Sequence, residues 1–281
     1  RTNSSSKEGP CIMAIYTTAA VVAFATGTGT AVTAEQTLTV PDNAVELVAV
    51  RGTLTSTAPN PAESGIGVFA LAGNNFLNRP YEWFTEILSA KLGAVDQHAP
   101  SHEDRWWPAN LPVKPGANLA ATFEPLDALA ADGQATIDVK WSTKKTEMPA
   151  TKRLASRETA STTTSGPSIT LSDAKKITEY TVVYTAATVA ADDPSVARLT
   201  ITSNNLLEVQ SITQTAVIHA IEATSGVAKA FLTHADIDVD VTNPNSNTVF
   251  SSSLTVDTAL TTAAAYAYSI GYEPNIVQVQ Q

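Results

Sequence analysis

Thr37-Leu38-Thr39-Val40-Pro41-Asp42 returns as Ser168-Ile169-Thr170-Leu171-Ser172-Asp173, so that position 37 corresponds to position 168, a shift of 131 residues. Further blocks follow in the same order. The Asn-Asn pair that begins at Asn74 reappears at Asn204, and Trp141 has its counterpart in Tyr272. Internal repeats decide a fold before other signals do, and a period of about 130 residues is the size of a whole domain. The sequence therefore predicts two similar domains that arose by internal duplication.

Most of the chain alternates between apolar and polar residues, which is the period of a half-buried strand. The alternation is clearest in two stretches, whose apolar members are Ala135, Ile137, Val139 and Trp141 in one and Ala235, Ile237, Val239 and Val241 in the other. Proline-containing turns such as Pro59-Asn60-Pro61 separate the strands. Many short strands with turn signals between them predict β-sandwich or jelly-roll barrels.

Each copy also contains a stretch with helical spacing. Residues 80–93 have Pro80 near the first turn, an apolar stripe from Trp83 to Leu88, and Gly93 as a stop signal. Residues 206–222 have a similar stripe, and a short helix is also predicted over residues 125–133. The predicted fold class is all-β with a few accessory helices, arranged as two tandem jelly-roll or β-sandwich barrels.

The predicted domain limits follow the repeat. Residues 1–30 are an N-terminal arm, 31–142 the first jelly roll, 143–166 a linker, and 167–281 the second jelly roll with a C-terminal tail. The linker is rich in Ser and Thr and contains five of the seventeen basic residues, which we interpret as solvated charge: Lys144, Lys145, Lys152, Arg153 and Arg157. Residues 11–26 and 275–281 have no counterpart in the other copy, so we expect them to drive assembly.

Composition limits the classes of function. The 281 residues are 43% hydrophobic and 16% charged, which is enough for globular cores. A formal net charge of −10 argues against a protein that binds nucleic acid without sequence preference, because such proteins need a basic face. The single cysteine, Cys11, cannot form an internal disulfide.

The pair Trp106-Trp107 is the candidate interface. It lies in a predicted irregular segment, residues 93–116, that contains four prolines. Long loops inside compact domains commonly make functional contacts, and tryptophan is a frequent anchor of interfaces. The alternative is that the segment folds its own tryptophans onto the barrel.

The sequence offers no readable catalytic, cofactor or metal site. His98, His102, Glu103 and Asp104 resemble a metal cluster, but Pro100 makes a shared helical face improbable. Asp236, Asp238 and Asp240 line one side of a strand and are interpreted as an exposed polar face rather than a calcium site. The glycines of residues 26–30 lack the lysine and the helix of a phosphate-binding loop. We therefore expect no enzyme activity and no cofactor.

Two β-rich repeats of this size, a linker and the lack of a readable active site together resemble the double jelly-roll major capsid proteins of tailless icosahedral viruses. The resemblance covers approximately residues 31–272 and depends on architecture rather than on a diagnostic motif. It implies a structural virion protein whose subunits form pseudo-hexagonal homotrimers that tile an icosahedral shell. The implied partners are neighbouring capsomers, minor capsid or vertex proteins and an internal membrane, with no sequence-specific nucleic acid.

Three other classes of protein share these features. A surface filament or pilus subunit would also be rich in Thr and Val, with the N-terminal arm as a strand donated to a neighbour. A phage tail-tube protein would be equally β-rich and poor in motifs. A carbohydrate-binding or hydrolytic β-sandwich would need an exposed sugar platform among Trp83, Trp106, Trp107 and Trp141.

Overall fold

The computed structural model describes residues 15–24, 35–56, 66–74, 80–89, 106–125, 133–156, 160–161, 166–186, 195–207, 211–218, 229–256 and 264–275. Regular structure in these residues consists of β-strands. None of the described residues belongs to a helix with the length and apolar character that a membrane crossing requires.

The strands divide into two sets along the chain. The first set is β1 (Ile15–Phe24), β2 (Gln36–Thr39), β3 (Glu46–Ser56), β4 (Ile66–Asn74), β5 (Pro80–Ser89), β6 (Trp107–Pro112), β7 (Asn118–Pro125) and β8 (Gly133–Ser142). The second set is β9 (Lys152–Ala155), β10 (Ala160–Ser161), β11 (Ser168–Leu171), β12 (Ala174–Ala186), β13 (Ser195–Ser203), β14 (Ser211–Ile218), β15 (Lys229–Asp240), β16 (Thr248–Val256) and β17 (Ala264–Pro274).

The first set forms a barrel of two facing sheets. One sheet has the strand order β1-β8-β3-β6, and the other has the order β5-β4-β7-β2. The apolar residues of both sheets meet in one core that includes Leu47, Phe69, Trp107, Phe123 and Trp141. Eight strands in this order form a jelly roll. We refer to it as the first barrel.

The second set repeats this order strand for strand. Its sheets are β9-β17-β12-β15, in which β10 also pairs with β17, and β14-β13-β16-β11. Their core includes Ile177, Leu199, Phe250, Tyr268 and Ile270. This second barrel therefore has the same topology as the first, with β9 in the place of β1 and β17 in the place of β8.

The pairing registers of the two barrels also agree. Leu47 pairs with Trp141 in the first barrel, and Ile177 pairs with Tyr272 in the second. In both barrels the register shifts at the next residue, which marks a β-bulge at the same place. The register places Trp141 and Tyr272 at equivalent positions, as the sequence repeat predicts. The predicted fold class of two tandem jelly-roll barrels is confirmed.

One long sheet joins the two barrels. It has the order β15-β12-β17-β9-β5-β4-β7-β2, and the junction is a parallel pairing of β5 with β9 at Phe84 and Arg153. The other paired strands are antiparallel. Because β5 and β9 run in the same direction, the two barrels stand side by side with the same orientation.

Both barrels consequently have a base at the same end of the molecule. In the first barrel the base contains the turn that precedes β3 and the turn between β6 and β7, with Val113 donating its backbone N–H to the carbonyl of Val45. In the second barrel it contains the turn that precedes β12 and residues 241–247. At the opposite end, Phe24, Gly133 and Ser56 lie side by side at the ends of β1, β8 and β3.

The predicted helices are wrong where the structure describes them. Pro80–Ser89 form strand β5, and Ser211–Ile218 form strand β14, while Leu206 makes an isolated bridge with Val241. Short apolar runs cannot be assigned to helix or strand by periodicity alone, and pairing with neighbouring strands satisfies the backbone here. The third predicted helix lies between Pro125 and Gly133, over residues 126–132, which are outside the described residues.

The predicted arm and linker both contribute strands. Ile15–Phe24 form β1 and pair with β8 over all ten residues, so this part of the arm belongs to the first barrel. Lys152–Ala155 form β9, the equivalent strand of the second barrel. Each jelly roll needs a strand beside β8 or β17. In both barrels the segment that precedes the repeat in the sequence supplies this strand. Residues 1–14 and 276–281 lie outside the described residues.

Candidate interaction surface

The structure separates the two tryptophans of the candidate interface. Trp107 is fully buried in the first core, where its ring lies 6.3 Å from that of Phe69 at 44°. Trp106 precedes β6 and is only partly buried. Alternating side chains of an extended segment point to opposite faces of a sheet, which explains the difference. Only Trp106 is therefore a surface residue.

Trp106 lies within a cluster of charged side chains. The Arg51 guanidinium is 4.8 Å from the centroid of the Trp106 ring, and Lys140 Nζ is 3.9 Å from it. Arg51 donates from Nε and Nη2 to Asp138 Oδ2 over 3.0 and 2.7 Å. Cations over an indole ring are stabilised by the ring quadrupole, so this cluster holds the Trp106 ring in place.

We call this outer surface of the sheet β1-β8-β3-β6 the Trp106 face, defined by Thr17, Arg51, Trp106, Asp138 and Lys140. Thr17 is exposed and the other four are partly exposed. The pairing register gives this face an equivalent in the second barrel.

In the second barrel the equivalent face is buried. The positions of Thr17, Arg51, Asp138 and Lys140 are occupied there by Arg153, Thr181, Ser269 and Gly271, and Glu179 lies beside them. None of these five residues is more than 5% exposed where a value is resolved. Ser269 and Thr181 pair directly, as Asp138 and Arg51 do in the first barrel. The first barrel covers this face within the same chain, through Trp107 and strand β5.

Arg153 is the centre of the covered face. Its guanidinium forms an ion pair with Glu179, and its Nη2 donates to Thr181 Oγ1 over 3.0 Å and to Ser269 Oγ over 3.1 Å. The same guanidinium lies 5.7 Å from the ring of Trp107 in the first core. A cation of the second barrel thus contacts an aromatic residue of the first.

Gly271 makes room for this ion pair. A Cβ atom at that position would lie 2.5 Å from Glu179 Cγ and 2.9 Å from Arg153 Nη1. Any larger residue would displace one partner of the pair. The small size of Gly271 is therefore a requirement of the contact between the barrels.

A second buried cation, next to Arg153 in the sequence, anchors the first residue of β9. Lys152 forms an ion pair with Asp173, and Tyr272 donates its hydroxyl to Asp173 Oδ1 over 3.1 Å. Burial lowers the pKa of Lys152 from its ordinary value, while the hydrogen bond and the charge of Asp173 act in the opposite direction. Burial and Asp173 together raise the pKa of Tyr272 well above its ordinary value.

The first barrel has an uncharged version of the same anchor. Tyr16 pairs with Trp141 as Lys152 pairs with Tyr272, and Asn43 donates from Nδ2 to the Tyr16 hydroxyl over 3.2 Å. The first strand of each barrel is thus tied to the turn that precedes β3 in the first barrel and β12 in the second. This equivalence indicates a structural role for Lys152 and corrects its assignment to solvated linker charge. Arg157 lies outside the described residues.

The candidate metal ligands do not form a cluster in the described part of the chain. Asp236, Asp238 and Asp240 are exposed on β15, and Asp238 pairs with Lys176. No group of three or more His, Cys, Asp or Glu side chains among the described residues could hold a metal ion.

The other residues considered for metal or phosphate binding fall outside the structure's description. They are His98, His102, Glu103, Asp104, Cys11 and the glycines of residues 26–30. The predicted match of His102 with His234 stays a prediction, because His102 lies outside the described residues. At the nearest described positions, Trp107 pairs with Val50 and Ala235 pairs with Tyr180, which gives a shift of 128 between positions 107 and 235.

Sequence reasoning missed the contact between the barrels. Arg153 was assigned to the linker, and Glu179 was not singled out. The sequence does contain a usable signal, because Glu179 and Thr181 alternate with Tyr180 and Val182 in a segment rich in β-branched and aromatic residues. A carboxylate in such a strand needs a partner if it becomes buried.

The described geometry defines an all-β protein of two equally oriented jelly rolls joined by one sheet. No family model matches the chain, and no curated protein matches it. Similar solved structures include PNGase F, a glycosylasparaginase from Flavobacterium meningosepticum, with 11% identity, a TM-score of 0.43, and coverage of 94% of this chain and 97% of that chain. The VP2 subviral particle of infectious bursal disease virus has 9% identity and a TM-score of 0.25, with 93% and 72% covered.

A tandem CBM22 pair from Paenibacillus barcinonensis Xyn10C has 13% identity and a TM-score of 0.23, with 89% of this chain and 93% of that chain covered. These neighbours thus include a glycosylasparaginase, a protein of a subviral particle and a CBM22 tandem domain. At such identities and TM-scores, none of these likenesses assigns the chain to a family or to an activity.

Proposed function

We propose that this chain is a structural virion protein, a major capsid protein that assembles as pseudo-hexagonal trimers into an icosahedral shell. The observation that carries the proposal is the parallel junction of β5 and β9, which gives two complete jelly rolls the same orientation. Three such chains contain six upright barrels, and cyclic closure is the common solution for homo-oligomers. The proposed domain limits at residues 31–142 and 167–281 enclose the repeated segments, and β1 and β9, which precede these segments in the chain, add one strand to each barrel.

The contact between the barrels suits a shell subunit. One continuous sheet and the buried pair of Arg153 with Glu179 connect the barrels, so the two barrels resist relative rotation. A capsid subunit needs a rigid arrangement of its two barrels because it contacts neighbouring subunits on several sides. Two barrels on a flexible linker would not have one.

The described strands count against a filament that works by strand donation. Such a subunit lacks one strand of its own barrel and receives it from a neighbour. Here β1 and β9 come from the same chain as the barrels that they complete. Electron microscopy of the assembled protein distinguishes a tail tube from a closed shell.

A sugar platform finds little support among the described tryptophans. Trp107 and Trp141 are fully buried, and the Trp106 ring is already in contact with Arg51 and Lys140. The side chain of Trp83 is outside the described residues. That the chain is not an enzyme stays a prediction, which an assay of N-glycan release from a denatured glycoprotein tests directly.

Negative-stain electron microscopy of the purified protein separates these functions. We expect closed shells or flat hexagonal capsomers about three chains in mass. Filaments or stacked rings would favour the pilus or tail-tube alternative. Discrete monomers at every concentration, together with glycan binding or release, would overturn the proposal. Virion localisation needs a separate test. The chain should be a main component of virus particles purified from the host culture.

A further inference from the structure

The two barrels differ in how their edges are used. In the second barrel, the first strand β9 is paired on its outer edge with β5, and the first barrel covers the adjoining face. In the first barrel, the equivalent strand β1 pairs only with β8 among the described residues, and the Trp106 face beside it is open. The counterpart of β5 is β14, which pairs only with β13 in the described part of the chain.

We propose that β14 of one copy pairs in parallel with β1 of a neighbouring copy, which repeats between chains the β5–β9 junction within the chain. The neighbour's second barrel would then cover the Trp106 face, as the first barrel covers the face around Arg153. Three such contacts close six barrels into a ring. This inference rests on the proposed function, and it identifies the surfaces that meet.

The register of the new junction follows from the equivalent pairs. Phe84 pairs with Leu71 and Ile212 pairs with Ile201, at corresponding places of the two barrels. Arg153 pairs with Gly271 and Thr17 pairs with Lys140, again at corresponding places. Because Phe84 lies opposite Arg153 within the chain, Ile212 should lie opposite Thr17 of the neighbour.

The composition of the edge strands selects the same two strands independently. Natural sheets protect their edges with charges, prolines or very short strands. Strand β6 contains Pro108 and Pro112, β15 carries three aspartates, and β2 and β11 have only four residues each. In contrast, β1 has ten residues and β14 has eight, and neither contains a charge or a proline. These unprotected edges are suited to pairing with another chain.

Two of the three charges on the Trp106 face already neutralise each other, and the third lies over an aromatic ring. Arg51 is already paired with Asp138 in a two-nitrogen contact, and Lys140 lies over the Trp106 ring. Covering paired charges is less unfavourable than covering isolated ones. The second barrel of a neighbouring copy is therefore suited to cover the Trp106 face, since its strand β14 presents an uncharged edge to β1.

Cysteine cross-linking tests the register. The test variant carries Thr17→Cys and Ile212→Cys, and Cys11→Ser removes the native cysteine. Opposite residues of paired strands lie about 4.8 Å apart, so the new cysteines at position 212 of one copy and position 17 of its neighbour would be within disulfide reach. We expect covalent dimers and trimers on non-reducing gels, which disappear on reduction. The matched control replaces Ile212→Cys with Ser168→Cys, on the exposed opposite edge of the same sheet. It should give no trimer above the level of the single-cysteine variants.

A second pair of variants covers the case in which the cysteines disturb folding. Thr17→Lys places a charge on the open edge of β1, and Thr37→Lys places one on the exposed edge strand β2. We expect the first to lower the oligomer fraction at least tenfold and the second to leave it unchanged. Equal behaviour of the two variants, or equal cross-linking of the two cysteine pairs in a trimeric protein, would refute the junction and leave the shell function standing. A wild type that stays monomeric would refute the function itself.

Discussion

Removing the carboxylate of Glu179 should destabilise the protein strongly, because Arg153 would remain buried without its charged partner. The two residues are 5% and 1% exposed. Breaking a buried pair by removing one partner costs about 3–5 kcal/mol. At roughly 2–4 °C per kcal/mol for a chain of this size class, Glu179→Ala should lower the Tm by about 6–20 °C.

The double variant Arg153→Met with Glu179→Leu distinguishes a buried charge from a packing defect. Apolar replacement of a whole buried pair is often neutral or stabilising, so the double variant should be much closer to wild type than Glu179→Ala is. Urea unfolding followed by tryptophan fluorescence measures all variants. Arg51→Met is the matched control on the Trp106 face, where the arginine side chain is 30% exposed, and it should cost about 1 kcal/mol or less. If Glu179→Ala costs no more than this control, the reasoning about the contact between the barrels is wrong.

Three further predictions concern neighbouring positions. Trp107→Ala should cost about 3–5 kcal/mol of unfolding free energy because the ring is fully buried, while Trp106→Ala should cost about 1 kcal/mol, and equal losses in urea unfolding would contradict the separation of the two tryptophans. Gly271→Ala should cost about 1–3 kcal/mol by displacing the buried ion pair, and an unchanged Tm would show that the pair can move freely. Tyr272→Phe should cost about 1 kcal/mol at pH 7 through its lost hydrogen bond to Asp173. Because the pKa of Tyr272 is raised in the folded state, the wild type should lose this advantage as the pH rises above about 10, and a gap that widens there would contradict the sign.

The duplication was readable because it leaves marks that do not depend on local conformation. Leu47 with Trp141 and Ile177 with Tyr272 hold the same register, and each member of these pairs is apolar and buried. Core positions constrain residue type, so they preserve the repeat in the sequence.

The helices and the linker were misread because their assignment depends on distant partners. The spacing of Trp83, Phe84 and Ile87 fits a helix, but β4 and β9 pair with this segment from both sides. Lys152 and Arg153 read as solvated charge within a polar stretch. Their partners, Asp173 and Glu179, lie more than twenty positions away and identify them as buried only once the strands are paired.

The oligomeric state of the soluble subunit tests the central claim most directly. Multi-angle light scattering over a range of protein concentrations gives the mass without assumptions about shape. The account predicts a species of three times the 29.4 kDa chain that persists at micromolar concentration and grows into shells as the concentration rises. A stable species of 29.4 kDa at every concentration would contradict it.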